Sequence, residues 1–475
     1  MRSILLVEFI FPLLIAVAWH PLTAPAAVNT LRHFAGGAND GAMPQAAPVQ
    51  NGSVLFGTTM AGGDSDGGTI YKVNSDGAAF SLLHEFSIAT GTGLPTALTL
   101  GGPTLYGVSQ DDGPGLGGTV FKINTDGSGF DLLHEFQLAG DDGSRPLAPL
   151  TQVGSTLYGT TELGGSGGVG TVFKVNIDGT GYQRLHDFAG GTADGARPST
   201  KLAIAGSTLY GTTLSGGTAD AGTLFKINVD GSGFQLLHEF ADEVGNGETP
   251  SGSVLLDGSV LYGTTNFGGS EAGAAGTVYR INTDGSSFDL LHEFNISEGP
   301  GFPATSLTML GSVLYGTTSS GGANNDGTIF KLNNDGSGFA TLHEFSTVDG
   351  SLPSELVLSG SQLFGTTSMG GSFGFGTLFS LPIGGFGAAS GDYNGDGAVN
   401  AADFSAWKGA FGSSSNLAAD GSANSIVDAA DYTVWRDHMG AGSAAGGMGA
   451  AVPEPATICA AVLMLAVAAM HRSIR

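Results

Sequence analysis

Asp392, Asn394, Asp396, Asn400 and Asp403 stand at positions 1, 3, 5, 9 and 12 of one twelve-residue run. That is the spacing at which side-chain oxygens wrap a hard cation wanting six to eight of them, as Ca2+ does. Gly397 at position six permits the sharp turn, the carbonyl of Ala398 supplies position seven, and Asn400 acts through water. Asp403 stands where a glutamate is usual. A second copy begins at Asp420, with Ser422, Asn424, the Ile426 carbonyl, Asp428 and Asp431 in the same register. There Ser425 replaces the glycine, so the second loop is expected to bind more weakly. A chance acidic turn in an acidic chain is the competing explanation. Each loop runs into a helical pattern, 403–408 and 431–436, with Trp407 and Trp435 four residues beyond the last ligand. That placement predicts two helices packing through their aromatic faces.

The other residues able to do chemistry recur with a period. Between Val28 and Ile383 one pattern repeats: Leu-Tyr-Gly-Thr-Thr, a Gly-Gly loop, Gly-Thr-Val-Phe-Lys-Ile-Asn, an Asp-Gly turn, then Phe-x-Leu-Leu-His-Glu-Phe. Its aromatic falls at Phe56, Tyr106, Tyr158, Tyr210, Tyr262, Tyr315 and Phe364, with spacings of 50, 52, 52, 52, 53 and 49. Seven of the ten histidines, His33, His84, His134, His186, His238, His292 and His343, read as one repeat position. A catalytic constellation is asymmetric, so these histidines are expected to be structural hydrogen-bonding devices rather than metal ligands or bases. Lys72, Lys122, Lys174, Lys226, Arg280 and Lys331 share a second position, with the recurrent Glu85, Glu135, Glu239, Glu293 and Glu344 as expected partners. The Thr-Thr pairs suit strand packing.

These residues are positioned by short segments rich in β-branched and aromatic residues, bounded by Gly, Asn and Asp, which are strand signals. Asp-Gly pairs such as Asp126-Gly127 mark hairpins, glycine supplying a positive φ. A weaker strand follows each proline, as in 148–153 and 306–310. Seven units of four strands predict an all-β fold, a seven-bladed β-propeller. The repeat opens with a lone last strand, 29–34, and closes after 376–381 without one, so the N-terminal strand is expected to complete the seventh blade. A β-solenoid is the alternative architecture. The unrepeated acids lie in two loop sets that share one end of the ring, for example Asp141, Asp142, Asp242, Glu243 and Glu248, and Asp64, Asp66, Asp111 and Asp112. That end is the candidate binding face, for calcium or sugar hydroxyls, with solvated loops that hold no ligand as the equal alternative.

Composition agrees. The 475 residues include 82 glycines, far above the usual ~7%. Hydrophobic residues make up 41%, enough to bury a core. A formal charge of −26 argues against nucleic acid or an anionic membrane surface as partner. The single cysteine, Cys459, excludes an intramolecular disulfide and any Cys-based zinc site.

Both ends carry sorting patterns. Met1-Arg2-Ser3, the apolar stretch 4–19 and Ala24-Pro25-Ala26 describe a signal peptide over residues 1–27. Residues 28–383 are the propeller, 384–390 a linker, 391–440 the tandem-loop module and 441–451 a Gly/Ala linker. In 452–475, Pro453, Glu454 and Pro455 precede the apolar run 456–470 and a basic tail. The run is shorter than the ~20 residues that comfortably span a bilayer; a plain membrane anchor is the alternative reading.

Three resemblances rest on these residues. The propeller unit resembles the Gloeo/Verruco repeat of bacterial surface proteins, which implies an extracellular location and brings no catalytic residues. The paired loops resemble a type I dockerin, which implies two calcium ions and a cohesin-like protein as partner. The tail is similar to a PEP-CTERM signal, which implies recognition by an exosortase and delivery to the surface, outer envelope or extracellular matrix of a Gram-negative-type bacterium, with an extracellular polysaccharide as a further partner. Together they point to a non-enzymatic surface scaffold; a glycosidase or polysaccharide lyase on a propeller is the alternative.

Overall fold

The computed structural model describes residues 27–87, 93–110, 116–138, 141–241, 245–269, 274–295, 301–303, 305–383, 399, 401–411 and 427–438. The chain divides into two compact units between Gly384 and Gly385.

In the first unit the first six repeats each become one antiparallel sheet whose four strands neighbour one another in chain order, and the seventh sheet draws a strand from the N-terminal end. The third blade, for example, is Thr151–Val153, Thr156–Thr161, Thr171–Asn176 and Gln183–Asp187. First strands of successive blades meet side by side, Thr99 Oγ1 donating to Leu150 O at 2.6 Å, which makes them the inner edge of the ring. The strands predicted over 148–153 and 306–310 are realised as Thr151–Val153 and Thr308–Leu310 only. The residues before them carry buried side chains such as Leu150 and Leu307 into the space between blades.

Closure is as the chain ends predicted. Asn29–His33 pairs antiparallel with Thr377–Pro382, and Phe34 N donates to Gly376 O at 3.0 Å. The seventh blade is therefore shared between the two ends of the repeat, and the solenoid alternative falls. The apolar core is a set of inter-blade layers. Phe56, Ile70 and Phe86 of the first blade pack on Leu98, Leu105, Phe121 and Ile123 of the second. Later blade pairs repeat the layer.

In every blade but the second, where Val108 and Ser109 stand instead, a Thr-Thr pair helps hold this stack. The second of each Thr-Thr pair meets the threonine of the next strand, Thr161 to Thr171 at 2.9 Å and Thr213 to Thr223 at 2.8 Å, inside the sheet. The first donates to the following blade, Thr160 to Thr200 O at 3.2 Å and Thr366 to Ala46 O at 3.0 Å across the closure. At the Asp-Gly turns the glycine takes positive φ, +94° at Gly127, and so does the residue two further on, +68° at Gly129. The aspartate instead accepts from the residue two ahead, Ser128 N to Asp126 Oδ1 at 2.9 Å, so the turn is wider than a two-residue hairpin.

The second unit contains two helices, α1 (Ala401–Ala410) and α2 (Ala429–His438). Phe404, Trp407, Tyr432 and Trp435 pack against one another, with ring centroids 5.1–6.0 Å apart, and Val399 and Val427 are buried with them. The predicted packing of the helices through their aromatic faces is present.

Candidate functional site

Of the twelve ligand positions read from the sequence, Asp403, Asp428 and Asp431 lie on described residues. Asp392, Asn394, Asp396, Ala398, Asn400, Asp420, Ser422, Asn424 and Ile426 lie outside them, as do Pro453, Glu454 and Pro455. Asp403 and Asp431 occupy the first turns of α1 and α2, and both are 0% exposed. Asp431 Oδ2 accepts from Asp428 N at 2.6 Å, and Trp407 Nε1 donates to Asp428 O at 2.8 Å, which ties the start of α2 to α1. A carboxylate is costly to bury unless it is bonded or holds a cation. Two of them at equivalent helix starts suit the last ligand of each loop. Among the described residues no three His, Cys, Asp or Glu side chains are grouped as a metal site.

In the propeller the repeated histidines are absorbed by structure. Five lie flat on an aromatic ring of the following blade: His84 on Phe130, His134 on Tyr182, His186 on Phe234, His238 on Phe288 and His292 on Phe339, with centroids 3.6–3.9 Å apart. Nε2 of His134, His186 and His343 meets Asp142, Asp194 and Asp349 at 3.2, 3.1 and 2.9 Å, and that of His238 meets Asn246 at 3.0 Å. Those acids close their own loops as well; Asp194 accepts from Ala189 N and Gly195 N. Burial pushes His84, His238 and His292 below the usual imidazole range, His292 to about 4. Asp142 and Asp349 stay below the carboxylate range although burial opposes it, because their histidines and neighbouring donors bond to them.

One assignment from the repeat is corrected. His33 pairs with Thr377 as Glu85 pairs with Thr69, so it holds the glutamate position, and its Nδ1 accepts from Ser372 N at 3.1 Å. The histidine position of the seventh blade belongs to Arg32, which bridges Asp40 at 2.8 Å. Three of the glutamates bond to loop backbone rather than to the lysine position. Glu85, Glu239 and Glu344 accept loop N–H groups of Asp64, Thr218 and Ala323 at 2.7–2.9 Å. The lysine position sits three residues further along its strand, where Lys122 meets Asp131 at 3.4 Å and Arg280 meets Asp289 at 2.8 Å.

The loop acids expected to face a ligand are also partly consumed. Asp142 turns to its histidine, and Asp66 Oδ1 accepts from Gly62 N at 2.8 Å. Asp111, Asp112, Asp242 and Glu243 lie outside the described residues. A cleft of about 430 Å³ between Tyr262, Arg280, Phe288 and Asp289 places a guanidinium already tied to Asp289 and to Asn334 O.

One asymmetric cluster was not foreseen. Glu162, 4% exposed, accepts from Arg145 Nη1 at 3.0 Å and from Arg197 Nε at 3.0 Å, with a second contact from Arg197 Nη2. Both arginines stand immediately before a proline at φ near +60°, on the connection into a first strand. Each is held by its own backbone. Arg145 N donates to Gly117 O of the preceding blade and Arg145 O accepts from Glu162 N; Arg197 makes the same pair with Val169 and Leu214. The remaining blades carry Met43, Leu94, Thr249, Phe302 and Leu352 in that conformation. The signal available in sequence was the type of residue preceding each such proline, the place where the repeat alone leaves the side chain unspecified.

Among solved structures the chain is similar to an oligogalacturonate lyase from Vibrio parahaemolyticus, at 14% identity and a TM-score of 0.49 over 75% of this chain and 94% of that one. A puromycin-hydrolysing peptidase of Mycobacterium tuberculosis matches at 13% identity and a TM-score of 0.48 over 72% and 52%. A nidogen/laminin complex matches at 15% and 0.38 over 61% and 93%. Likeness at this level carries no inference about activity. No curated protein matches the chain. The Gloeobacter/Verrucomicrobia repeat matches residues 22–168, 118–309 and 246–425, and with the seven-bladed architecture this places the chain in that repeat family.

Proposed function

We propose that this is an exported, non-enzymatic propeller of the cell surface or extracellular matrix, a scaffold for interaction, joined to a calcium-binding dockerin-like module and a PEP-CTERM tail processed by an exosortase. The observation that carries the non-enzymatic reading is the fate of the repeated histidines. The groups best suited to acid–base work are stacked on the next blade and bonded to their own loops, which leaves them no substrate-facing role. Glu162, the buried glutamate of the unrepeated cluster, is the acceptor of two guanidiniums, whereas glycoside hydrolysis uses a pair of carboxyl groups flanking the bond. The calcium reading is supported by the two buried aspartates at equivalent helix starts.

Purified chain incubated with acidic and neutral polysaccharides is expected to release no reducing ends and no unsaturated product. Turnover would establish the competing reading, a carbohydrate-active propeller. For export, tagged chain in a host with an exosortase is expected at the surface, and Glu454→Ala is expected to hold it in the membrane fraction; equal surface display of both sinks the sorting claim.

A further inference from the structure

Exposed apolar side chains are concentrated at one blade. Among the described residues of the propeller eight large hydrophobic side chains are exposed. Five of them, Val348, Leu352, Met369, Phe373 and Phe375, lie in the loops 346–353 and 368–376 that adjoin the seventh blade. The two loops form one surface. Gly371 N donates to Thr347 O at 2.8 Å, Ser351 pairs with Met369, and Gly370 bridges to Phe375. Phe375 O accepts from Met43 N at 2.9 Å, which joins the surface to the first blade.

The same loops are nearly without charge. Their one acidic or basic side chain is Asp349, bonded to His343 Nε2 at 2.9 Å and to Ser346 N at 2.7 Å. In each of the other blades an acid stands near the end of the fourth strand: Glu85, Glu135, Asp187, Glu239, Glu293 and Glu344. The seventh blade has His33 there. Glu355, just past the first loop, lies on the inner connection and accepts from Ser306 Oγ.

We propose that this surface joins two copies of the chain, seventh blade to seventh blade, about a two-fold axis. A two-fold contact sets a patch against itself, which suits an apolar, uncharged surface and penalises one that carries carboxylates. Two chains of net −26 repel each other, and the seventh blade lets this end of the ring meet its own image with neutral loops in contact. An unlike, basic partner drawn by the acidic charge would be directed to the other six blades instead. The chain ends leave the way clear. Asn29–His33 runs toward the loops and Thr377–Pro382 away from them, so the chain enters and leaves the ring at the opposite end. Five apolar side chains are few beside the ~20–30 residues a side of a standard interface, so the dimer is weak and concentration-dependent.

The test is sedimentation equilibrium of the full chain over the micromolar to millimolar range, at low and high NaCl. A reversible monomer–dimer equilibrium is expected, tighter in high salt because screening weakens the repulsion between two acidic chains. Val348→Asp with Phe373→Asp sets like charges across the axis and is expected to weaken dimerisation at least tenfold. The two side chains are 75% and 59% exposed, so the variant is expected to melt like the parent. Val348→Ser with Phe373→Ser adds no charge and is expected to weaken the dimer in the same direction. Leu138→Asp, as exposed as Phe373 but on the second blade, is expected to dimerise like the parent. A chain monomeric throughout overturns the proposal. So does association that survives both double variants, which would belong to another face or to the apolar run 456–470. Equal weakening by Leu138→Asp overturns the assignment to the seventh blade, and a dimer that salt weakens overturns the apolar contact.

Discussion

The guanidinium of Arg32 lies over the ring of Phe80, 3.4 Å from its centroid, at the seam where the last blade meets the first. Elsewhere in the ring a histidine makes this stack on the next blade, and Arg32 repeats the second half of the arrangement by bridging Asp40 at 2.8 Å. The seam is thus locked by the same geometry with a permanent charge in place of an imidazole.

Arg32→Ala removes a cation–π contact and one partner of a largely buried aspartate. The expected loss is about 2 kcal/mol, read as a lower urea midpoint. Arg32→His restores the residue type of the other blades and is expected to recover most of it. A midpoint unmoved by Arg32→Ala would show that strand pairing alone closes the ring.

Stability is expected to fall as pH is lowered from 7 toward 4. Burial depresses the imidazole of His292 to about 4 from its ordinary 6.5, with Glu293 opposing. Between those values the unfolded chain binds more protons than the folded one, so stability rises with pH. His84 and His238 shift in the same direction for the same cause and add to the slope. His292→Gln should flatten the dependence of the urea midpoint between pH 7 and 4; an unchanged slope would remove His292 from the account.

Gly159 faces Phe173 across two paired strands, and a Cβ there would lie 2.6 Å from the ring edge and 2.8 Å from Leu150. Its glycine is required by the ring, not by a turn. Gly159→Ala is expected to cost about 2–3 kcal/mol through displaced core side chains. Gly154 presents the opposite case, with φ +58° and nothing within 4 Å of a built Cβ. Gly154→Ala should cost about 1 kcal/mol, from backbone strain alone. Urea unfolding of both variants separates the two causes, and equal losses would contradict the assignment.

With residues 1–27 removed, Trp407 and Trp435 are the only tryptophans, and both are buried in the C-terminal unit. Their emission therefore reports this unit within the whole protein. Chelation is expected to shift the emission to the red and added calcium to reverse it, since a folded loop pair depends on its cation. Asp403→Ala should abolish most of the response and Asp431→Ala a smaller part, the second loop lacking its glycine. Emission indifferent to calcium would end the calcium reading.

How much was legible divides by period. A residue repeated every fifty or so positions must do the same thing in every blade, so the strands, the closing strand and the structural use of the histidines and threonines could be read directly. Register failed where the unit is truncated. At 29–34 no glutamate follows His33, so the letter His alone set the alignment and placed it one residue off. Only pairing with Thr377 assigned Arg32 to the histidine place. Sequence does not say which way a loop carboxylate turns, and Asp142 turns to its histidine.

What the chain states by itself is therefore the architecture: seven copies of one hydrogen-bonding and packing pattern, a ring closed by a strand from the far end, and two candidate calcium loops set apart from it. What the tertiary structure decided is which side chains remain available. Glu162 stands seventeen residues from Arg145 and thirty-five from Arg197; the two arginines share one repeat position, and the glutamate lies in a different loop. They meet because each connection into a first strand sits against the loop of its own blade and that of the blade before it, a neighbour relation set by the ring and not by distance along the chain.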